Sequence, residues 1–169
     1  MKILVIEDSG KHAMAAAMQL EEQHEVDYAL SPASAMAAFD AATAQAKPFE
    51  VVLCDLMLWS DSPKTLGPNR VGAGEYVLKE EALGWPLALI AVQHGAKYVG
   101  VLSDMNHHDG PHAACLEEIH GGKMRPEFDM NGVSRPQFII NGARVGFFPA
   151  PLTERKSKNW KMVLERLLE

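Results

Sequence analysis

Apolar positions along this chain fall into two rhythms, short unbroken runs and stripes at helical spacing, and their alternation predicts most of its elements. Ile3 to Ile6 form an unbroken run of strand formers that ends in Glu7 and Asp8, the pattern of an inner strand covered on both faces. Lys11 to Glu22 follow at once with Met14, Ala17, Met18 and Glu21 at helical spacing and alanine in the gaps. Val26 to Leu30 read as a second strand, and Ser31 before Pro32 as a cap with proline at the first helical position. That helix is expected to run to about Ala46, with Met36, Phe39 and Ala42 or Thr43 on one side, and to stop before Pro48. Val51 to Cys54 are the most apolar strand, and it ends in Asp55.

The next stretch, Leu56 to about Trp85, holds Pro63, Gly67, Pro68, Gly72, Gly74 and Gly84 and reads as a loop with one short helical piece over Glu75 to Ala82. Pro86 to His94 predict a helix with Leu87, Ile90, Ala91 and His94 on one face and Gly95 as its cap. Tyr98 to Leu102 predict a strand ending in Ser103 and Asp104, and Asp109 caps an expected helix from Gly110 to Ile119. Phe138 to Ile140, then Asn141-Gly142, then Ala143 to Phe148 have the pattern of a hairpin, because Asn-Gly accepts the positive φ of a type I′ turn. A last helix is expected over about Lys158 to Leu168, with Trp160, Val163, Leu164, Leu167 and Leu168 on one stripe and Ser157 as its cap.

Strands alternating with helices imply a doubly wound α/β fold. Right-handed crossovers leave few topologies. The expectation is one domain over residues 1–169, a mainly parallel five-stranded sheet of flavodoxin-like order 2-1-3-4-5, an added hairpin near the C-terminus, and a long irregular insertion around residues 58–74. In that order the first and third strands are neighbours and ligands sit beyond their carboxyl ends. Glu7, Asp8 and Asp55 then share one mouth.

Composition narrows the function. The chain has 169 residues, 47% of them hydrophobic and 22% charged, as suits a folded domain that buries a core without disulfides. A net charge of -6 with no basic stripe argues against a nucleic-acid backbone as partner. The densest cationic cluster, Arg155, Lys156, Lys158 and Lys161, reads as solvated helix surface. Cys54 and Cys115 belong to no closely spaced metal or redox motif, and no apolar run suggests a signal peptide or a membrane span. A cytoplasmic location is expected.

Carboxylates crowded at one mouth repel one another unless a cation is present, and a hard, oxygen-seeking ion such as Mg2+ would relieve that repulsion. The plainer reading is that acids after strands are solvated loop residues. The stretches from Ile3 to Asp8 and from Val51 to Met57 resemble the first and third strands of the receiver domains of two-component response regulators. The resemblance implies that Asp55 accepts a phosphoryl group and that Asp8 binds Mg2+ directly. Glu7 would then act through the metal's water, and the backbone carbonyl of Met57 would complete the protein's ligands. It also implies that Ser103 is the hydroxyl residue contacting the phosphoryl group, and that the donor is a histidine kinase or a phosphotransfer protein.

The chain also departs from that family. No lysine precedes a proline at the end of the last strand, where Ala150-Pro151 stand instead, and the stretch between Asp55 and Ser103 is longer than a compact receiver uses. If the insertion closes over Asp55, Lys64 or Arg70 is a candidate to supply the missing cation. His107, His108, Asp109 and His112 add a polar rim whose residue types suit zinc, although Asp109 is already explained as a cap and no HExxH or CxxC spacing supports the metal. Three readings stand. One is a divergent receiver phosphorylated on Asp55 with Mg2+ that signals through a partner protein. The second is a non-phosphorylated pseudo-receiver serving as an interaction module for another signalling protein. The third is a metal-dependent hydrolase using the acids with the histidine rim.

Overall fold

The computed structural model describes residues 1–59, 80–103, 137–149, 152–154 and 156–169. Lys64, Arg70, Asp104, the histidine rim, the helix expected from Gly110 to Ile119, Cys115, Ala150-Pro151 and Arg155 lie outside those residues.

The elements are β1 (Lys2–Ile6), α1 (Gly10–Leu20), β2 (Glu25–Ala29), α2 (Pro32–Ala44), β3 (Val51–Asp55), β4 (Leu58–Trp59), β5 (Glu80–Glu81), α3 (Gly84–Gln93), β6 (Tyr98–Ser103), β7 (Gln137–Ile140), β8 (Ala143–Pro149) and α4 (Trp160–Leu168). The main sheet has six strands in the order β2-β1-β3-β6-β8-β7. The first five run parallel, and β7 pairs antiparallel with β8 through the Asn141-Gly142 turn, where both residues have positive φ. Counting parallel strands alone, this is the 2-1-3-4-5 order, with the hairpin adding a sixth, edge strand.

Strand alternation divides the core. In β1 and β3, Ile3, Val5, Val51 and Leu53 face α1 and α4, whereas Leu4, Ile6, Val52 and Cys54 face α2 and α3. All of these side chains are fully buried, and at roughly 25 cal/mol per Å2 of apolar area such layers are the main source of stability. Ser31 caps α2 as expected, accepting from the Ser34 N–H while the Ser34 hydroxyl accepts from the Ser31 N–H, and Pro32 stands at its start. Among the described residues no helix is long and apolar enough to cross a membrane.

Several local expectations change. In α1 the stripe marked by Met14 and Met18 faces solvent, at 68% and 73% exposure, and the buried side is Ala15, Ala16 and Leu20, small enough to bring the helix close to the sheet. Helix α3 begins at Gly84, two residues before Pro86, and His94 is its cap, stacked on Phe39 and bonded to the Thr43 hydroxyl. Gly95 follows at φ 91°, the conformation that ends a helix most cheaply at glycine. Helix α4 is capped by Asn159, whose side chain accepts from the Met162 N–H, while Ser157 bonds to Thr153 instead. Lys158 therefore lies outside the helix. The expected helical piece over Glu75 to Ala82 meets a strand at Glu80–Glu81, which pairs antiparallel with Leu58–Trp59. The two ends of the excursion after β3 are thus held side by side.

Candidate functional site

The register explains why acids remote in sequence meet. Ile6 lies beside Cys54 in the β1–β3 pair, so one further step sets Glu7 beside Asp55. Alternation turns both toward the face that α1 and α4 cover, because Val5 and Leu53 point that way. Glu7 is held at the strand end by its N–H, which donates to the Ala29 carbonyl, and its Oε1 accepts from the Ser9 N–H. Asp8 has left the strand, and its Oδ2 accepts from the Trp59 backbone N–H at 2.7 Å. The first residues of the excursion therefore stay at the mouth.

Glu7, Asp8 and Asp55 each offer a carboxylate oxygen, and these oxygens lie within 4.8 Å of one another. The expected grouping forms. Ser103 ends β6 one position beyond Leu102, the register partner of Asp55, and is 4% exposed, so it reaches the same edge. Met57 follows β3 in a bend, with its side chain partly buried against the core.

The residue that sequence reasoning missed is Lys158. Its Nζ stands 2.6 Å from Glu7 Oε2 and 2.8 Å from Asp55 Oδ2, and its side chain is 1% exposed. It is a buried ammonium between two buried carboxylates rather than part of a solvated helix face. Its place follows from the topology once the cap is known. A helix that follows the carboxyl end of a parallel strand starts at the mouth of the sheet, and with Asn159 as the cap the residue before it must lie there.

Burial sets the protonation chemistry. Loss of water pushes the Glu7 carboxyl up from 4.5 to about 7, Asp55 adds to the rise, and Lys158 and the Ser9 N–H hold it back. Burial on its own would lower the Lys158 ammonium, but the two carboxylates outweigh it and the net shift is upward. The Cys54 thiol is buried behind Asp55 and is pushed well above its ordinary value, first by burial and then by the neighbouring acids, so it stays an inert thiol.

The donor set suits a hard dication, since all three groups are carboxylates. Such an ion would share two of its ligands with an ammonium already bonded to them.

The strand order is the flavodoxin-like one expected from the sequence, and acids stand at the ends of β1 and β3. No protein-family model matches the chain, and no curated protein matches it. Among solved structures it is similar to the non-phosphorylated HemR receiver domain from Leptospira biflexa, at 18% identity, with 99% of this chain and 94% of that chain covered and a TM-score of 0.49. The cation beside Asp55 comes from the segment just before α4, as Lys158, and not from the end of β8.

Proposed function

We propose that the chain is a receiver-like interaction module whose acidic pocket is neutralised by its own Lys158 and whose output is a protein surface read by another signalling protein. The observation that carries this reading is the bridge of Lys158 Nζ between Glu7 and Asp55. A phosphoryl acceptor must offer an oxygen for in-line approach, with a cation free to neutralise the equatorial oxygens of the incoming group. Here Asp55 is 6% exposed and one of its oxygens is committed to an ammonium that Glu7 also holds.

The second reading is phosphorylation of Asp55 with Mg2+ by a histidine kinase or phosphotransfer protein. It is favoured by the pocket's composition, since Glu7, Asp8 and Asp55 with a lysine are the groups that phosphoacceptor chemistry uses. The hydrolase reading draws on histidines outside the described residues. The deciding measurement is intact mass after exposure to a small phosphodonor and Mg2+, quenched in acid. The native chain is expected to stay unmodified beside a phosphorylated control protein. An added phosphoryl group that vanishes in Asp55→Asn would overturn the proposal in favour of the second reading.

A further inference from the structure

Helix α1 does more than pack against the segment that carries Lys158. The Lys158 N–H donates to His12 Nδ1 at 3.1 Å, and Gln19 Nε2 donates to the Lys158 carbonyl at 3.1 Å, so side chains of one helix take both backbone polar groups of this lysine. His12 and Gln19 are about two helical turns apart and share a face. The same helix grips the neighbours of Lys158. Lys11 Nζ donates to the Lys156 carbonyl, Trp160 Nε1 donates to the His12 carbonyl, and the Lys161 N–H donates to Gln19 Oε1.

The other side of the segment is a tight turn. Leu152 bridges to Lys158, the Thr153 N–H donates to the Ser157 carbonyl, and the Thr153 and Ser157 hydroxyls are bonded at 2.8 Å. Inside it Lys156 sits at φ 55°, a region that side-chain-bearing residues seldom occupy. The turn sets the chain's direction, and α1 sets the position of the backbone from which the Lys158 side chain reaches inward. A lysine has a long side chain with many rotamers, so delivery of its ammonium to two carboxylates at once depends on where that backbone is held.

We infer that His12 and Gln19 are positioning residues that hold the Lys158 backbone so that its ammonium lodges between Glu7 and Asp55. The inference rests on the reading that Lys158 neutralises the pocket, and it names the helix that controls the neutralisation. The chemistry asked of His12 is narrow. Its Nδ1 must accept a hydrogen bond, and an asparagine offers Oδ1 at nearly the same place in the side chain, whereas leucine offers similar bulk and no acceptor.

The test uses the full chain and reads Lys158 directly. Acylation by a water-soluble succinimidyl ester, resolved by peptide mass, follows the accessibility of Nζ, and amide hydrogen exchange follows the Lys158 N–H. In the native chain Lys158 is expected to react far more slowly than exposed Lys161. His12→Leu and Gln19→Leu should each raise its acylation and amide exchange by roughly tenfold or more under conditions where the fold is retained. His12→Asn should return both to near the native rates. Unchanged protection of Lys158 in folded His12→Leu or Gln19→Leu would overturn the inference. So would equal acceleration at Lys2, as global opening gives, or a His12→Asn chain as reactive as His12→Leu. Gln19→Leu carries the test if His12→Leu does not fold. Phosphodonor treatment of the same samples separates the two claims, because phosphorylation of Asp55 would sink the proposed function while leaving the acylation result intact.

Discussion

Lys158 and Glu7, 151 positions apart in the chain, meet through a 2.6 Å Nζ–Oε2 contact with both side chains 1% exposed, and Asp55 closes the group at 2.8 Å from the same ammonium. A buried pair of this kind is a weak net source of stability, because desolvation of both partners offsets their attraction. Removal of one partner is a different matter. Lys158→Met keeps the length and bulk of the side chain but strands two carboxylates at a buried strand end. The expected loss at pH 8 is about 3–5 kcal/mol, measured by urea denaturation. Glu7→Gln added to Lys158→Met should recover part of it, since one buried charge is then gone. A single variant as stable as the native chain at pH 8 would mean that the ammonium is not holding the acids.

The position of Glu7 makes stability depend on pH with a definite sign. Its folded value is raised to about 7 from 4.5, so between those values the folded chain binds more proton than the unfolded one. Stability from this group is therefore fully present below about pH 4.5 and is lost as the pH climbs toward 7, by about 3 kcal/mol over the window. Lys158 is shifted upward from 10.5, so its contribution fades only at alkaline pH and leaves the window untouched. Urea midpoints taken from pH 4.5 to pH 8 should fall for the native chain, and this component of the slope should be missing in Glu7→Gln. The same slope in both chains would rule out Glu7 as its source.

Gly84 tests how the end of β3 is seated. It opens α3, its N–H donates to the Leu56 carbonyl at 3.0 Å, and a Cβ there would run into the Asp55 carbonyl oxygen and stand 2.7 Å from Leu56 Cα. These are backbone atoms and cannot turn aside as a flexible side chain would. Gly84→Ala is expected to cost about 1–3 kcal/mol or more by displacing α3 from the end of β3. Calorimetry would show a lowered Tm, and an unchanged Tm would mean that α3 and β3 are not in this close contact.

The legible part of the site was the part written in local pattern. Apolar runs closed by acids marked β1 and β3, and the sheet's period of two, with β1 beside β3, brought Glu7 and Asp55 to one face. The hairpin was legible because Asn141-Gly142 has a turn chemistry of its own. Lys158 was not, because nothing within a few residues of it distinguishes a buried lysine from a solvated one. Its place is set by hydrogen bonds to His12 and Gln19 across more than half the chain, and by a turn in which Lys156 adopts a positive φ that its residue type does not announce. The cap was misread for a related reason. Ser157 and Asn159 are equally good capping residues, and tertiary bonding of Ser157 to Thr153 decided between them.

In α1 the pattern of large apolar residues pointed to one side of the helix and burial chose another. Alanine is apolar but small, so an alanine-rich helix carries no strong stripe, and the methionines at positions 14 and 18 are the most conspicuous feature of this one. Close packing favours the opposite choice. Ala15 and Ala16 let the helix axis approach β1, Leu20 fills the remaining space beside Trp160 and Val163, and the longer methionines are left outside. This orientation is also what turns Lys11, His12 and Gln19 toward the Lys158 segment. Met14→Gln and Met18→Gln, made separately, should each change stability by no more than about 0.5 kcal/mol, as exposed substitutions do. Leu20→Ala should cost about 2–5 kcal/mol through the lost burial and the cavity it leaves. Urea denaturation of the three variants decides the matter, since a rotated α1 would reverse the order, making the methionine variants costly and Leu20→Ala mild, and would withdraw His12 and Gln19 from the lysine they hold.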